Sequence, residues 1–145
     1  DGEHRLFKRP VSAGQFVSGA KGAYEMILMA FETGDTETLQ RFLAPDVHEG
    51  FAAAIEERQR LGYSVEARFI GVREAQIVDA RFGEDTSEAE IAIRFTGEMI
   101  TTVRDTENRV VEGNPNEIRR ETDTWTFARR MGSDDPNWLL VATGE

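Results

Sequence analysis

Acid–base or nucleophilic chemistry in this chain must come from carboxylates, hydroxyls and two histidines, because its 145 residues include no cysteine. Disulfides, thiolate zinc sites and cysteine nucleophiles are thereby excluded. A serine triad needs a base beside the nucleophile. His4 falls in a polar N-terminal stretch and His48 in the first turn of a predicted helix, and no Gly-x-Ser-x-Gly sequence accompanies either. The glycine-rich loops that cradle phosphates are missing as well. Asp46, His48 and Glu49 form the densest group of metal-type ligands, but Asp46 with Glu49 three residues on reads first as a capping box. Asp105-Thr106-Glu107-Asn108 begins like a calcium loop, then lacks its glycine and distal glutamate, and reads as a solvated hairpin tip. The sharpest enzymatic reading rests on Asp79 and Asp123, both on predicted strands. Asp123 shares a face with Trp125 and Phe127, and a carboxylate in an apolar pocket can have a raised pKa and serve as a general base. The plainer reading pairs Asp123 with a neighbouring arginine such as Arg94. On balance the chain reads as a non-enzyme that needs no metal or cofactor.

The elements that would position these groups are legible from hydrophobic period. Residues 1–11 are polar and basic and read as a tail or linker ahead of a domain over 12–145. Phe16, Ala20, Ala23, Tyr24, Ile27 and Phe31 form one helical stripe, which Gly34 ends. Asp35 caps a short second helix with Leu39, Phe42 and Leu43. A third helix opens at Pro45-Asp46 and stops at Gly62. Beyond Gly62 the period becomes two. Strands are expected at Val65–Phe69, from Ala75 through Phe82, over Glu88–Met99, over Ile118–Met131 and at Trp138–Ala142, with a bend at Gly71 and tight turns at 83–85 and 133–136. Residues 105–116 read as a polar connection. Helices followed by strands give an α+β fold: three N-terminal helices packed on a curved, mainly antiparallel sheet of four to five strands. A curled sheet over a long helix makes a cone with an open end.

Charge narrows the partners. The net charge of −10 repels polyphosphate, so nucleic acid is not expected as a ligand. In residues 1–31, Arg5, Lys8, Arg9 and Lys21 stand against Asp1, Glu3 and Glu25, a net of +1 that leaves −11 on the remainder. A lipid-binding surface on the main body is therefore not expected, and any contact with anionic lipid should come from the N-terminal end. No stretch approaches eighteen apolar residues. The chain begins at Asp1-Gly2 without methionine and reads as a piece of a longer protein whose membrane anchor lies upstream.

A pocket needs apolar lining and a few convergent polar groups. Ile55, Phe69, Phe95, Trp125 and Phe127 are the candidate lining of the cone, with Arg58 and Tyr63 as its polar mouth. Packing into the core is the competing role for the aromatics. Helix one has a wide stripe, which makes Met29 and Tyr24 candidates for a partner or self-association surface and a homo-oligomer a possibility.

An ordered set of segments goes further: Gly22-Ala23-Tyr24-Glu25-Met26-Ile27, Ala30-Phe31, Gly34-Asp35, Phe51-Ala52-Ala53-Ala54-Ile55 with Arg58 and Gly62, Asp123-Thr124-Trp125-Thr126-Phe127-Ala128-Arg129, Asp135-Pro136-Asn137-Trp138 and Leu140-Val141-Ala142-Thr143. Across Phe16–Thr143 the chain resembles the C-terminal domain of the inner-membrane translocase subunit 44 family in its bacterial form, which is akin to a membrane-tethering protein of the mitochondrial large ribosomal subunit. The resemblance implies a cone-shaped fold similar to nuclear transport factor 2 and cystatin-like domains. It also implies a peripheral scaffold at the inner membrane, on its cytoplasmic face in bacteria, that holds protein partners in protein transport or membrane-protein assembly. Lipid contact would run through N-terminal helices preceding this domain. The alternative is an apolar small-molecule binder, or an isomerase or lyase, using the cone interior with Asp123.

Overall fold

The computed structural model describes residues 13–134 and 137–144. The expected tail over 1–11, with His4, lies outside them, as do Asp135 and Pro136 of the expected turn. Helix α1 runs Ala13–Thr33, α2 Thr36–Phe42 and α3 Pro45–Arg60; strands β1 Ser64–Gly83, β2 Glu88–Arg104, β3 Val110–Gly113, β4 Arg119–Arg130 and β5 Leu139–Thr143 follow. The expected α+β order is the order found, and every strand pairing is antiparallel.

Local chemistry explains the joints. Gly34 ends α1 with φ +78°, a left-handed conformation that costs glycine little. Asp35 caps α2, its carboxylate accepting from the Thr38 amide at 3.1 Å and the Thr38 hydroxyl at 2.6 Å. Those bonds hold the Asp35 carboxyl below its ordinary range. The expected capping box at α3 is corrected: Ala44 is the N-cap, without a side-chain bond, and Pro45 takes the first turn. Proline there needs no amide partner and is already set to helical φ, so Asp46 is left as a first-turn acid.

Two strand expectations are also corrected. The two segments expected on either side of Gly71 are one strand, β1, which pairs with β2 along its whole length. Register shifts at Phe69/Gly71, Val72/Glu74 and Ile77/Asp79 leave Ile70, Arg73 and Val78 as extra residues. Each such bulge bends the strand without ending it. The polar connection contains β3, which pairs with β2 through Thr102–Arg104. The hairpin tip before it is closed by Asp105, whose carboxylate accepts from the Glu107 and Arg109 amides at 2.9 Å each.

The sheet order is β1-β2-β4-β5, with β3 beside the far end of β2. At the β5 end the α2–α3 joint closes the sheet: Leu43 bridges Leu140, and the Ala44 amide donates to the Leu140 carbonyl at 2.9 Å. The helices cover the concave face. Ile27, Leu39, Ile91, Ile93, Phe95 and Leu140 are almost wholly buried there, and each such side chain contributes about 1.5–3 kcal/mol by leaving water.

Candidate functional site

Helix α1 meets the sheet in two ways. Around its middle, Tyr24 stacks on Phe95 with ring centroids 4.3 Å apart and leans on Trp125 at 4.7 Å. Phe69 closes the cluster edge-on at 6.3 Å from Tyr24. Tyr24 can lie this deep because β2 carries Gly97 beneath it, and a Cβ there would collide with the phenol oxygen and ring. The rings fill the cone. Burial is the first cause that pushes the Tyr24 hydroxyl up to about 12, and the nearby Glu121 and Asp123 carboxylates add to it, against the opposing pull of Arg119.

Toward the N-terminal end of α1 the same interface stays open. Phe16, Gly19, Ala20, Ala23 and Ile27 of α1 face Phe42 of α2, Phe127 of β4 and Trp138 before β5 across a groove of about 340 Å³. Only Gln15 and Asn137 bring polar side chains. Phe16 and Trp138 meet edge to face at 5.2 Å and wall one side. The opening follows from side-chain size: two helical turns carry glycine and alanine where Tyr24 would otherwise be matched by another ring. A site of this volume sits at the lower end of small-ligand pockets. It has no titratable group in its lining, so it can hold an apolar chain or side chain but offers no proton transfer.

A second cleft, about 310 Å³ in volume, lies at the other end of α1. There Glu32 is buried yet charged-paired: Arg58 reaches it at 3.1 Å and Arg119 at 3.9 Å. Arg58 also lies 4.9 Å from the Phe31 ring centroid, a cation–π distance.

The seven residues expected to line the cone are thus divided. Phe95, Trp125 and Phe69 form the ring cluster with Tyr24, while Phe127 alone lines the groove. Ile55, Arg58 and Tyr63 line the second cleft. Of the two expected partner-surface residues, Tyr24 is in the core, whereas Met29 is half-buried on the outer side of α1, in a shallow depression with Met26, Thr33 and Arg41. Asp123 is half-buried, and its carboxylate accepts from the Thr124 amide at 2.9 Å and from Trp125 Nε1 at 3.2 Å. Arg94, its expected partner, bonds Gln76 instead. His48 Nε2 lies 3.4 Å from the Thr36 carbonyl. Among the described residues, no group of three or more histidine or acidic side chains is arranged to hold a metal. Sequence reasoning missed Phe16, Phe42 and Trp138 as groove walls; the available signal was the run of small residues on the α1 stripe.

The profile of a family described as "Tim44-like domain" matches residues 4–145. A Caenorhabditis elegans protein named "Probable mitochondrial import inner membrane translocase subunit tin-44" is 25% identical over 118 residues, which cover 79% of this chain and 27% of that protein. The chain therefore spans little more than a quarter of that relative. Among solved structures, the intermembrane space region of the chloroplast protein ARC6 superposes with a TM-score of 0.60 at 13% identity, covering 94% of this chain and 97% of that one; at this identity the likeness is one of fold.

Proposed function

The chain belongs to the Tim44-like domain family, and from that premise we propose that it is a non-catalytic scaffold domain in membrane-associated protein transport, peripheral to the inner membrane. The observation that carries this reading is the extent of the family match, which takes in every helix and strand of the fold. The groove beside α1 supports it: an apolar cleft without a titratable group suits holding a partner's apolar side chains better than turning over a substrate. No described helix is long and apolar enough to cross a membrane; in the proposed reading, attachment runs through a partner or through a segment outside the described residues. The alternative, a small-molecule binder or isomerase using Asp123 in the cone, has less support. Rings occupy the cone, and both Asp123 oxygens already accept hydrogen bonds.

The test uses the full-length protein. After gentle lysis it is expected in the membrane fraction and released by alkaline carbonate; a wholly soluble distribution would remove the membrane reading. A photo-crosslinker at Ala23, in the groove, is expected to give a protein adduct on those membranes, and one at Arg94, on the convex sheet face, is not. Equal labelling from both positions would take the groove out of the proposal.

A further inference from the structure

Strand β1 is twenty residues long and pairs with β2 on one side; among the described residues no strand pairs with its other side. Such an edge presents a row of free backbone donors and acceptors to any strand that comes alongside. Proteins commonly guard edges with charges that repel a second strand. On β1 the charges have another arrangement. They are Glu66, Arg68, Arg73, Glu74, Asp79 and Arg81. Their positions are symmetric about the bond between Arg73 and Glu74, and their signs are opposite across it.

We propose that the free edge of β1 is the docking surface for a second copy of this chain, paired antiparallel about a two-fold axis between Arg73 and Glu74. In that register Glu66 lies opposite Arg81 of the other copy, Arg68 opposite Asp79, and Arg73 opposite Glu74. Each pairing occurs twice, so all twelve charges of the two strands face the opposite sign. Opposite charges directly across a ladder are favourable and like charges are not. Shifting the register by two residues places Arg68 opposite Arg81 or Glu66 opposite Asp79, so the charges select one register. The two ends become four-charge clusters, because Arg81 already bonds Asp79 at 2.6 Å within its own strand.

The apolar residues agree. Ile70, Val78 and Phe82 are large hydrophobic side chains left exposed on β1, at 41%, 43% and 57%. In the same register Ile70 lies beside Ile77 and Val78 of the second copy, and Phe82 opposite Val65. The side chains that must meet are accessible: Glu66, Arg73 and Arg81 are each more than 60% exposed, and the contacts of Glu66 with Arg104 at 3.6 Å and of Arg73 with Glu98 at 3.9 Å are long surface pairs that can be exchanged. The bulge at Arg73 falls on the symmetry axis, so both copies bring the same irregularity to the same point of the ladder. An isologous contact of this kind is closed, each copy giving and receiving the same edge.

Two triple variants of the full chain test this. R68E/R73E/R81E makes the strand wholly acidic, and E66R/E74R/D79R makes it wholly basic. Sedimentation across a concentration series is expected to show a dimer for the unmodified chain, monomers for each variant alone, and a one-to-one dimer when the variants are mixed. Unmodified protein that stays monomeric overturns the proposal, as do dimers that persist in both variants. Should a variant unfold, cysteine crosslinking decides, since the chain has no cysteine of its own. R73C is expected to crosslink to itself across the axis. R81C is not, because the two copies of residue 81 would lie about 50 Å apart along the ladder. Mixed E66C and R81C are expected to crosslink to each other, and an R81C self-crosslink as efficient as that of R73C overturns the register.

Discussion

Around Tyr24, α1 is locked to the sheet ring against ring; one turn earlier, around Gly19 and Ala20, the same stripe of the same helix leaves a groove. Both regions face the concave side, and both oppose aromatics on β4: Trp125 in one, Phe127 in the other. The difference lies in the helix. A large side chain above a glycine gives a filled cone, whereas small side chains above a ring give an open slot. On this fold, whether a cavity exists is therefore decided by a few residue sizes on α1 and hardly at all by the course of the backbone. Stability is concentrated in the first region and accessibility in the second.

Substitutions can break that contrast. The largest effect is expected from Phe95→Ala, which empties the fully buried centre of the ring cluster; it should cost about 3–5 kcal/mol in urea unfolding while leaving the groove walls in place. Gly97→Ala should cost about 1–3 kcal/mol, because the added methyl drives into the Tyr24 ring. The loss should shrink when Tyr24→Leu is combined with it, a coupling that a double-mutant cycle measures. Alkali acts on the same spot. The Tyr24 hydroxyl is raised to about 12 from an ordinary value near 10, so the native state disfavours the phenolate. Its contribution is complete below pH 10 and is lost as pH climbs from there toward 12, by about 3 kcal/mol at most. Tyr24→Phe should flatten that part of the stability profile. The smallest effect has the opposite sign. Gly19 sits in the helix with nothing within 4 Å of where a Cβ would stand, so Gly19→Ala should raise stability by about 0.5–1 kcal/mol. The same glycine-to-alanine change at 97 and at 19 thus separates the filled region from the open one, and equal effects would erase the distinction.

Much of the fold could be read from the sequence because local signals and the global fold agree. The α1 stripe, Gly34 at its end, the Asp35 cap and the alternation along β2 and β4 are each set by neighbours a few residues away. The misreadings arose where distant residues decide. Period-two alternation breaks at every bulge, so β1 looked like two strands, and only its pairing with β2 shows it to be one. Val110–Gly113 is a strand because Thr102–Arg104 lies beside it, not because four residues announce it. The site was less legible still. Ile55, Arg58 and Tyr63 share sequence character with a pocket mouth, yet they sit at the far end of α1 from Phe127. Phe16, Phe42 and Trp138 come from two helices and the segment before β5, and meet only through the packing of α1 and α2 at that edge of the sheet. No short-range pattern connects them.

The joint at Leu43 and Ala44 has a consequence for stoichiometry. By bonding the Leu140 backbone, it occupies the β5 border, and β3 on the same flank is only four residues long. A sheet with two long open borders could add copies at both and grow into a filament. With one border blocked by the chain's own backbone, strand addition at β1 is used up by a single event. The product of the proposed pairing is then a closed pair, and the contact of the α2–α3 joint with Leu140 leaves less of the opposite border open to a further copy.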